Sequence, residues 1–234
     1  MSGHSLVPEN YGYGELNRQS LLRHIPATRR FRSALGFGSG YGTELVPLVG
    51  RIDRLTLVEA GEGYGLDPAL TMPTTVLAAR ARGDLPLCDG AVDLVTCFGV
   101  LMYIPNVSHV LDEFARVLEP GGVLLLREPV TSLGGAWGRP LAGSQLSPRA
   151  RGVPCAYFRE QLPARGFAIE HETLIGFPPI VALWSHGVVP YRSRIATSLD
   201  LVICRLLAPR LRYHAVTRWQ KIRPTGIAIV ARRG

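Results

Sequence analysis

Apolar residues fall along this chain in short runs punctuated by glycine and proline, and their spacing alternates between continuous and helical. Residues 31–35 read as a short strand. A turn carrying Gly36, Gly38, Gly40 and Gly42 follows, and residues 43–49 read as the opening of a helix. Residues 51–59 end in an apolar, β-branched stretch that fits a buried parallel strand stopping at Glu59. Pro68 and Pro73 limit any helix in the next connection to a turn or two, and residues 76–79 read as a short third strand. After a loop over residues 84–90, residues 91–98 are a near-continuous apolar fourth strand. Val107, Val110, Leu111, Phe114, Val117 and Leu118 then repeat with a helical period. Pro120-Gly121-Gly122 stops that helix, and residues 123–126 restart a buried strand that ends at Arg127-Glu128-Pro129.

The flanks of this progression are less regular. Residues 15–24 favour a helix that Pro26 ends, and residues 1–30 are expected to lie as a cap over the mouth of the domain. Residues 130–151, rich in Gly, Ser, Pro and Arg around Trp137, read as a long loop, a length that in a compact domain is often functional. Residues 157–165 suit a helix, and residues 166–174 and 225–230 suit strands. Between these strands lie two apolar stretches, 180–189 and 199–207, and a basic, aromatic run, 210–223. They are expected to form an insertion or lid over residues 176–222. The predicted fold is a single α/β domain over residues 1–234. It is a Rossmann-like, doubly wound sheet, mostly parallel with an antiparallel last strand, plus a helical insertion between the last two strands.

Composition narrows this picture. With 234 residues, 47% of them hydrophobic, the chain can bury one full α/β core. The first ten residues lack a cationic stretch followed by an apolar core, so no leader is expected. No apolar run reaches the ~18 residues of a membrane span, which makes the cytoplasm the expected location. Cys88, Cys97, Cys155 and Cys204 are widely spaced, so reduced thiols and no metal site are expected. The net charge of +8 is almost wholly arginine, Lys221 being the only lysine. A GC-rich coding sequence accounts for such a skew, so nucleic acid is not the expected partner. The run from Arg210 to Arg223, interleaved with Tyr213 and Trp219, still leaves RNA or an anionic membrane surface open.

The glycine turn fails the dinucleotide fingerprint G-x-G-x-x-G in every register and lacks the Gly-Lys-Ser/Thr end of a P-loop. Glu59, 21 positions after Gly38 at the end of the second strand, has the placement of an acid that grips ribose hydroxyls. The turn resembles the G-x-G-x-G of class I S-adenosylmethionine-dependent methyltransferases, of the type 11 kind. Leu85-Pro86-Leu87 with Val92-Asp93-Leu94-Val95, Leu101-Met102-Tyr103-Ile104-Pro105, and Arg116 through Gly122 are similar to that family's later motifs, in its order. The run from Arg127-Glu128-Pro129 through Arg151-Gly152-Val153-Pro154, and residues 221–224, resemble bacterial enzymes of surface-polysaccharide and secondary-metabolite assembly.

The resemblance implies S-adenosyl-L-methionine as cofactor. It places Gly38, Ser39, Gly40 and Gly42 against the methionine part, Glu59 on the ribose, Asp84 and Leu85 beside the adenine, and Cys97 and Phe98 under the sulfonium. Two departures stand out. Gly36 replaces the family's usual acid, with Glu44 the nearest substitute. Arg80-Ala81 stands where an acid normally precedes Leu-Pro, which leaves Asp84 as a shifted replacement.

An acceptor at the carboxyl ends of the strands would meet residues 98–103 and 128–137. Glu128 is the first candidate for a base or orienting group and Tyr103 the second. No Asn/Asp-Pro-Pro-Tyr follows the fourth strand, which argues against methylation of nucleobase or glutamine amino groups. The expected reaction is O-methylation of a small molecule such as a sugar or a glycosylated or lipid-linked intermediate. A cofactor-binding protein without turnover, and an enzyme directed to RNA or to a membrane surface, are the alternatives. The sequence does not specify an oligomeric state.

Overall fold

The computed structural model describes residues 11–61, 65–80, 83–132 and 151–234. Seven strands form one sheet: β1 (Ala34–Phe37), β2 (Leu55–Glu59), β3 (Thr74–Ala78), β4 (Val92–Phe98), β5 (Leu118–Pro129), β6 (Phe167–Ile175) and β7 (Gly226–Arg233). Their order is β3-β2-β1-β4-β5-β7-β6. Strands β1 to β5 are parallel, while β7 runs antiparallel between β5 and β6. The connection from β3 passes over two strands to reach β4, so the order reverses between β1 and β4. Their carboxyl ends therefore diverge around a crevice, the usual ligand position in a doubly wound sheet.

Both faces of the sheet are covered. The helices α2 (Val107–Val117) and α3 (Cys155–Ala164) bury Leu111, Phe114, Phe158 and Leu162 against Leu35, Val95, Leu124 and Leu126. The Asn106 side chain caps α2 by accepting from the His109 amide at 3.3 Å. On the opposite face, α1 (Gly14–Ser20) and the turn after it bring Leu16, Leu21 and Ile25 onto Leu57, Leu94, Val123 and Leu125. Strands covered on both sides are buried along their length. The uniformly buried β1 and the nearly uniform β4 show that, β4 with Asp93 and Thr96 as its two polar positions.

Three local expectations are corrected. Helix α2 ends at Val117, so Leu118 and Pro120-Gly121-Gly122 already belong to β5. Strand β1 is shifted toward the glycine turn: Phe31 makes only an isolated bridge to Ile52, and Gly36 lies inside β1. The turn thus begins at Gly38. After it, residues Thr43–Leu48 form a 3₁₀ turn, not the opening of an α-helix, with Pro47 inside it and unable to donate an amide hydrogen. Of the expected loop over 130–151, residues 133–150, Trp137 among them, lie outside the described residues.

Between β6 and β7 the chain forms α4 (Pro178–Val181), several 3₁₀ turns and α5 (Arg194–Leu206). Asp200 of α5 anchors this region. It is fully buried and accepts from the Gly176 amide at 2.9 Å, the Phe177 amide at 2.7 Å and the Tyr191 hydroxyl at 3.1 Å. The insertion also touches the N-terminal helix. Gln19 Nε2 donates to the Arg194 carbonyl at 3.1 Å, and Ser198 Oγ bonds Gln19 Oε1 at 3.0 Å.

Candidate functional site

The glycine turn is shaped by three left-handed residues, with φ of 66° at Gly38, 58° at Gly40 and 75° at Gly42. Side chains are strained in that region, so glycine is required there. A Cβ on Gly38 would also lie 2.6 Å from Val100 of the turn after β4, so the two loops are in close approach. Glu59, at the end of β2, is buried and accepts the Gly40 amide at 2.7 Å. That bond joins the carboxyl ends of β1 and β2. Burial first, and then the Glu44 charge among its neighbours, pushes the Glu59 carboxyl up to about 7, although the Gly40 and Ser39 amides oppose the shift.

Gly36 has a steric cause. A Cβ there would lie 2.5 Å from Ser39 Oγ and 2.7 Å from Leu57 Cδ2. An acid there would have to displace the Ser39 hydroxyl and the Leu57 side chain. Glu44, on the 3₁₀ turn that follows Gly42, instead buries its carboxyl close enough to interact electrostatically with Glu59, Tyr11 and Arg127. Burial raises it to about 7, while the nearby Ser39 hydroxyl, its own amide and the Arg127 charge pull the other way. Ser39 Oγ itself is buried outside hydrogen-bond geometry, and it is one of the few such polar atoms among the described residues.

Glu128 ends β5 with 1% exposure. Its Oε1 accepts the amides of Val100 at 2.8 Å and Leu101 at 3.0 Å, and it faces the Cys97 thiol at 3.6 Å. It therefore holds the turn whose Val100 packs on Gly38. Its Oε2 is buried with no hydrogen-bond partner among the described residues. Burial raises this carboxyl too to about 7, against its two amide donors. Cys97 is fully buried in the core, and burial, then Glu128, drives its thiol well above the ordinary range. Tyr103 is 46% exposed on the short 3₁₀ turn Leu101–Tyr103.

Asp84 pairs with His109 Nε2 at 2.7 Å, while the Leu85 amide donates to Glu113 Oε2 at 2.7 Å. Arg116 completes this corner, bonding Glu113, Asp89 and the carbonyls of Leu85 and Leu87. An open cleft of about 480 Å³ lies here, lined by residues that include Arg80, Asp84, Cys88 and Arg116.

Arg127 was not singled out from the sequence as a site residue. Its guanidinium carbon sits 4.0 Å from the centre of the Tyr13 ring and 5.4 Å from that of Phe98. Tyr13 in turn lies 4.7 Å from Trp184 and 5.8 Å from Tyr191, ring centre to ring centre. The N-terminal segment and the insertion thus meet in an aromatic cluster beside the ends of β4 and β5. Strand alternation held the signal for Arg127, since it is next to Glu128 and must face the other side of the sheet. Nothing in the sequence marked the cluster around Tyr13, because its members are up to 178 positions apart.

Comparison with known proteins follows this geometry closely. Residues 34–126 match the family model described as "Methyltransferase domain". A probable S-adenosylmethionine-dependent methyltransferase of Mycolicibacterium smegmatis is 31% identical over 170 residues, which is 70% of this chain and 62% of that protein. One of Mycobacterium tuberculosis is 27% identical over 135 residues, 55% of this chain and 48% of that protein. The chain thus spans roughly half to three-fifths of the length of these relatives. Among solved structures, an S-adenosylmethionine-dependent methyltransferase from Mesorhizobium loti superposes with a TM-score of 0.60 at 17% identity, covering 97% of this chain and 100% of that one, a likeness of fold. On the domain match, these relatives and this sheet order together, residues 34–126 carry a methyltransferase domain, and the chain is similar to the class I S-adenosylmethionine-dependent methyltransferases, a likeness that implies S-adenosylmethionine as cofactor.

Proposed function

We propose that this protein methylates a hydroxyl of a small molecule, such as a sugar or a glycosylated or lipid-linked intermediate. The observation that carries the reading is the bond from the Gly40 amide to Glu59, with the Glu44 carboxyl buried close by. These residues fit the cofactor. The turn offers bare backbone, Glu59 offers two oxygens to a ribose, and Glu44 offers the negative charge that an ammonium group needs and that Gly36 does not carry. Asp84 and Leu85 would border the adenine, and the ends of β4 at Cys97 and Phe98 would floor the reacting centre.

When bound, S-adenosylmethionine supplies an electrophilic methyl group, so the protein has mainly to align the acceptor, exclude water and take a proton. Glu128 is suited to two of these tasks. Oε1 fixes the turn at 99–103, and the unpartnered Oε2, on a carboxyl poised near neutrality, can accept a hydroxyl proton. Tyr103, half exposed on the same turn, would orient the acceptor. The aromatic faces of Tyr13 and Trp184 would stack on a sugar ring, and Arg127 would favour an acceptor bearing negative charge. The burial of Glu128 supports the rival reading, a cofactor-binding protein without turnover.

A thermal-shift titration with S-adenosylhomocysteine separates these cases when paired with transfer of labelled methyl. The wild type should be stabilised and Glu59→Ala should not be. Labelled methyl should pass to a glycoside or lipid-linked sugar from a host extract, and Glu128→Gln should lower kcat while leaving the thermal shift intact. A normal shift with no transfer to any such acceptor would leave only the non-catalytic reading.

A further inference from the structure

We infer that the insertion between β6 and β7 is a docking face for an anionic phospholipid surface, with α5 lying in the plane of the lipid headgroups. Ile195, Leu199, Val202 and Leu206 are 75%, 53%, 57% and 74% exposed. Their spacing of four, three and four residues places them on one stripe along three turns of helix. The opposite side of α5 is the one the fold uses, since Thr197, Asp200 and Cys204 are buried there. The outward stripe therefore has no part in the core. Eight of the eleven large hydrophobic residues exposed among the described residues fall between positions 176 and 222, Val216 at 89% and Trp219 at 78% among them.

Charge decides what covers this stripe. Residues 176–222 contain seven Arg and Lys and one acid, so they hold six of the chain's eight net positive charges. The one acid, Asp200, is fully buried and committed to the Gly176 and Phe177 amides. Arginine is spread through the whole sequence, but acids are nearly absent here and the rest of the chain is close to neutral. Arg194 and Arg205 are both exposed and lie eleven residues apart, so they share one flank of the apolar stripe. A second copy docking on the same stripe would bring two cationic segments together, at an electrostatic cost. Nucleic acid would satisfy the arginines and leave the leucines in water. An anionic bilayer matches both properties, with apolar side chains entering the acyl boundary, arginines at the phosphates and an exposed tryptophan suited to the interface. A protein so held would meet amphiphilic acceptors at the membrane, and the inference stands whether or not methyl transfer is found.

The test is co-sedimentation of the full chain with vesicles of mixed phosphatidylglycerol and phosphatidylcholine, and with phosphatidylcholine alone. Binding to the anionic vesicles that weakens with added salt, and at least about tenfold in Leu199→Glu/Val202→Glu, is the expected result. Arg194→Glu/Arg205→Glu should weaken it as well, and both variants should melt like the wild type because all four side chains are exposed. No sedimentation, equal binding to neutral vesicles, or binding unchanged in both variants overturns the inference. So does a dimer in analytical ultracentrifugation that Leu199→Glu/Val202→Glu dissolves without any vesicle binding by the wild type. RNA binding retained by that variant, again without vesicle binding, also overturns it.

Discussion

Three carboxyls around one glycine turn, Glu44, Glu59 and Glu128, are each raised by burial to about 7 from an ordinary 4.5. A ligand that sets an ammonium group and ribose hydroxyls against these carboxylates favours their ionised forms, so its binding below this range must displace protons. The affinity for S-adenosylhomocysteine is therefore expected to rise with pH up to about 7 and to level off above it. Titration calorimetry across that range checks this, and Glu44→Gln should weaken binding and flatten the pH dependence. Stability follows the same groups with the opposite sign. Between 4.5 and about 7 the folded protein keeps protons that the unfolded chain has released, so urea resistance of the ligand-free protein should fall as pH rises through that window. Gly36 gives a sharper residue-scale test. Gly36→Asp would restore the family's usual acid, yet its Cβ would meet Ser39 and Leu57. A loss of about 1–3 kcal/mol of stability and weaker cofactor binding are expected, the first read by thermal melting.

At the scale of elements, two side chains hold segments together that have little regular structure of their own. Arg116 ties α2 to the loop at 84–89 through the Leu85 and Leu87 carbonyls, so Arg116→Met should cost about 1–2 kcal/mol in denaturant unfolding. The ion pair with Asp89 at its exposed end adds little, being open to solvent. Asp200→Ala is expected to be worse, by about 2–4 kcal/mol, because two backbone amides and a buried tyrosine hydroxyl lose their acceptor together. These elements were unevenly legible. The helical period of Val107 to Val117 and the apolar run of β4 survive any context, since each buries a full face. The β1 boundary did not, because Gly36 looks like turn chemistry until Leu57 and Ser39 are seen packed against it.

Across the whole molecule, the N-terminal segment and the insertion form one layer on the sheet face opposite α2 and α3. Leu16, Leu21 and Ile25 are buried in the same cluster as Leu57, Leu125 and Tyr191. Deleting residues 1–25 should therefore give an aggregating, dye-binding protein, not an open but folded domain. Light scattering and binding of a hydrophobic fluorophore would show it. That layer also brings Tyr13 to Arg127 and Trp184, which makes the aromatic cluster beside the ends of β4 and β5 a product of three distant segments.

The sequence by itself determined the α/β progression, the glycine turn and the position of Glu59, because each depends on spacing within a strand–turn–strand unit. It also carried the positive charge and the apolar stretch at 199–207 as plain composition, whereas the outward stripe of α5 came from the structure. Only the tertiary structure decided why residue 36 is glycine and how Glu44 reaches the same ground. It also decided that Glu128 grips the turn after β4 and that Arg127 lies under Tyr13. Those facts depend on contacts across the sheet, where packing and burial set the energies and sequence distance carries no information.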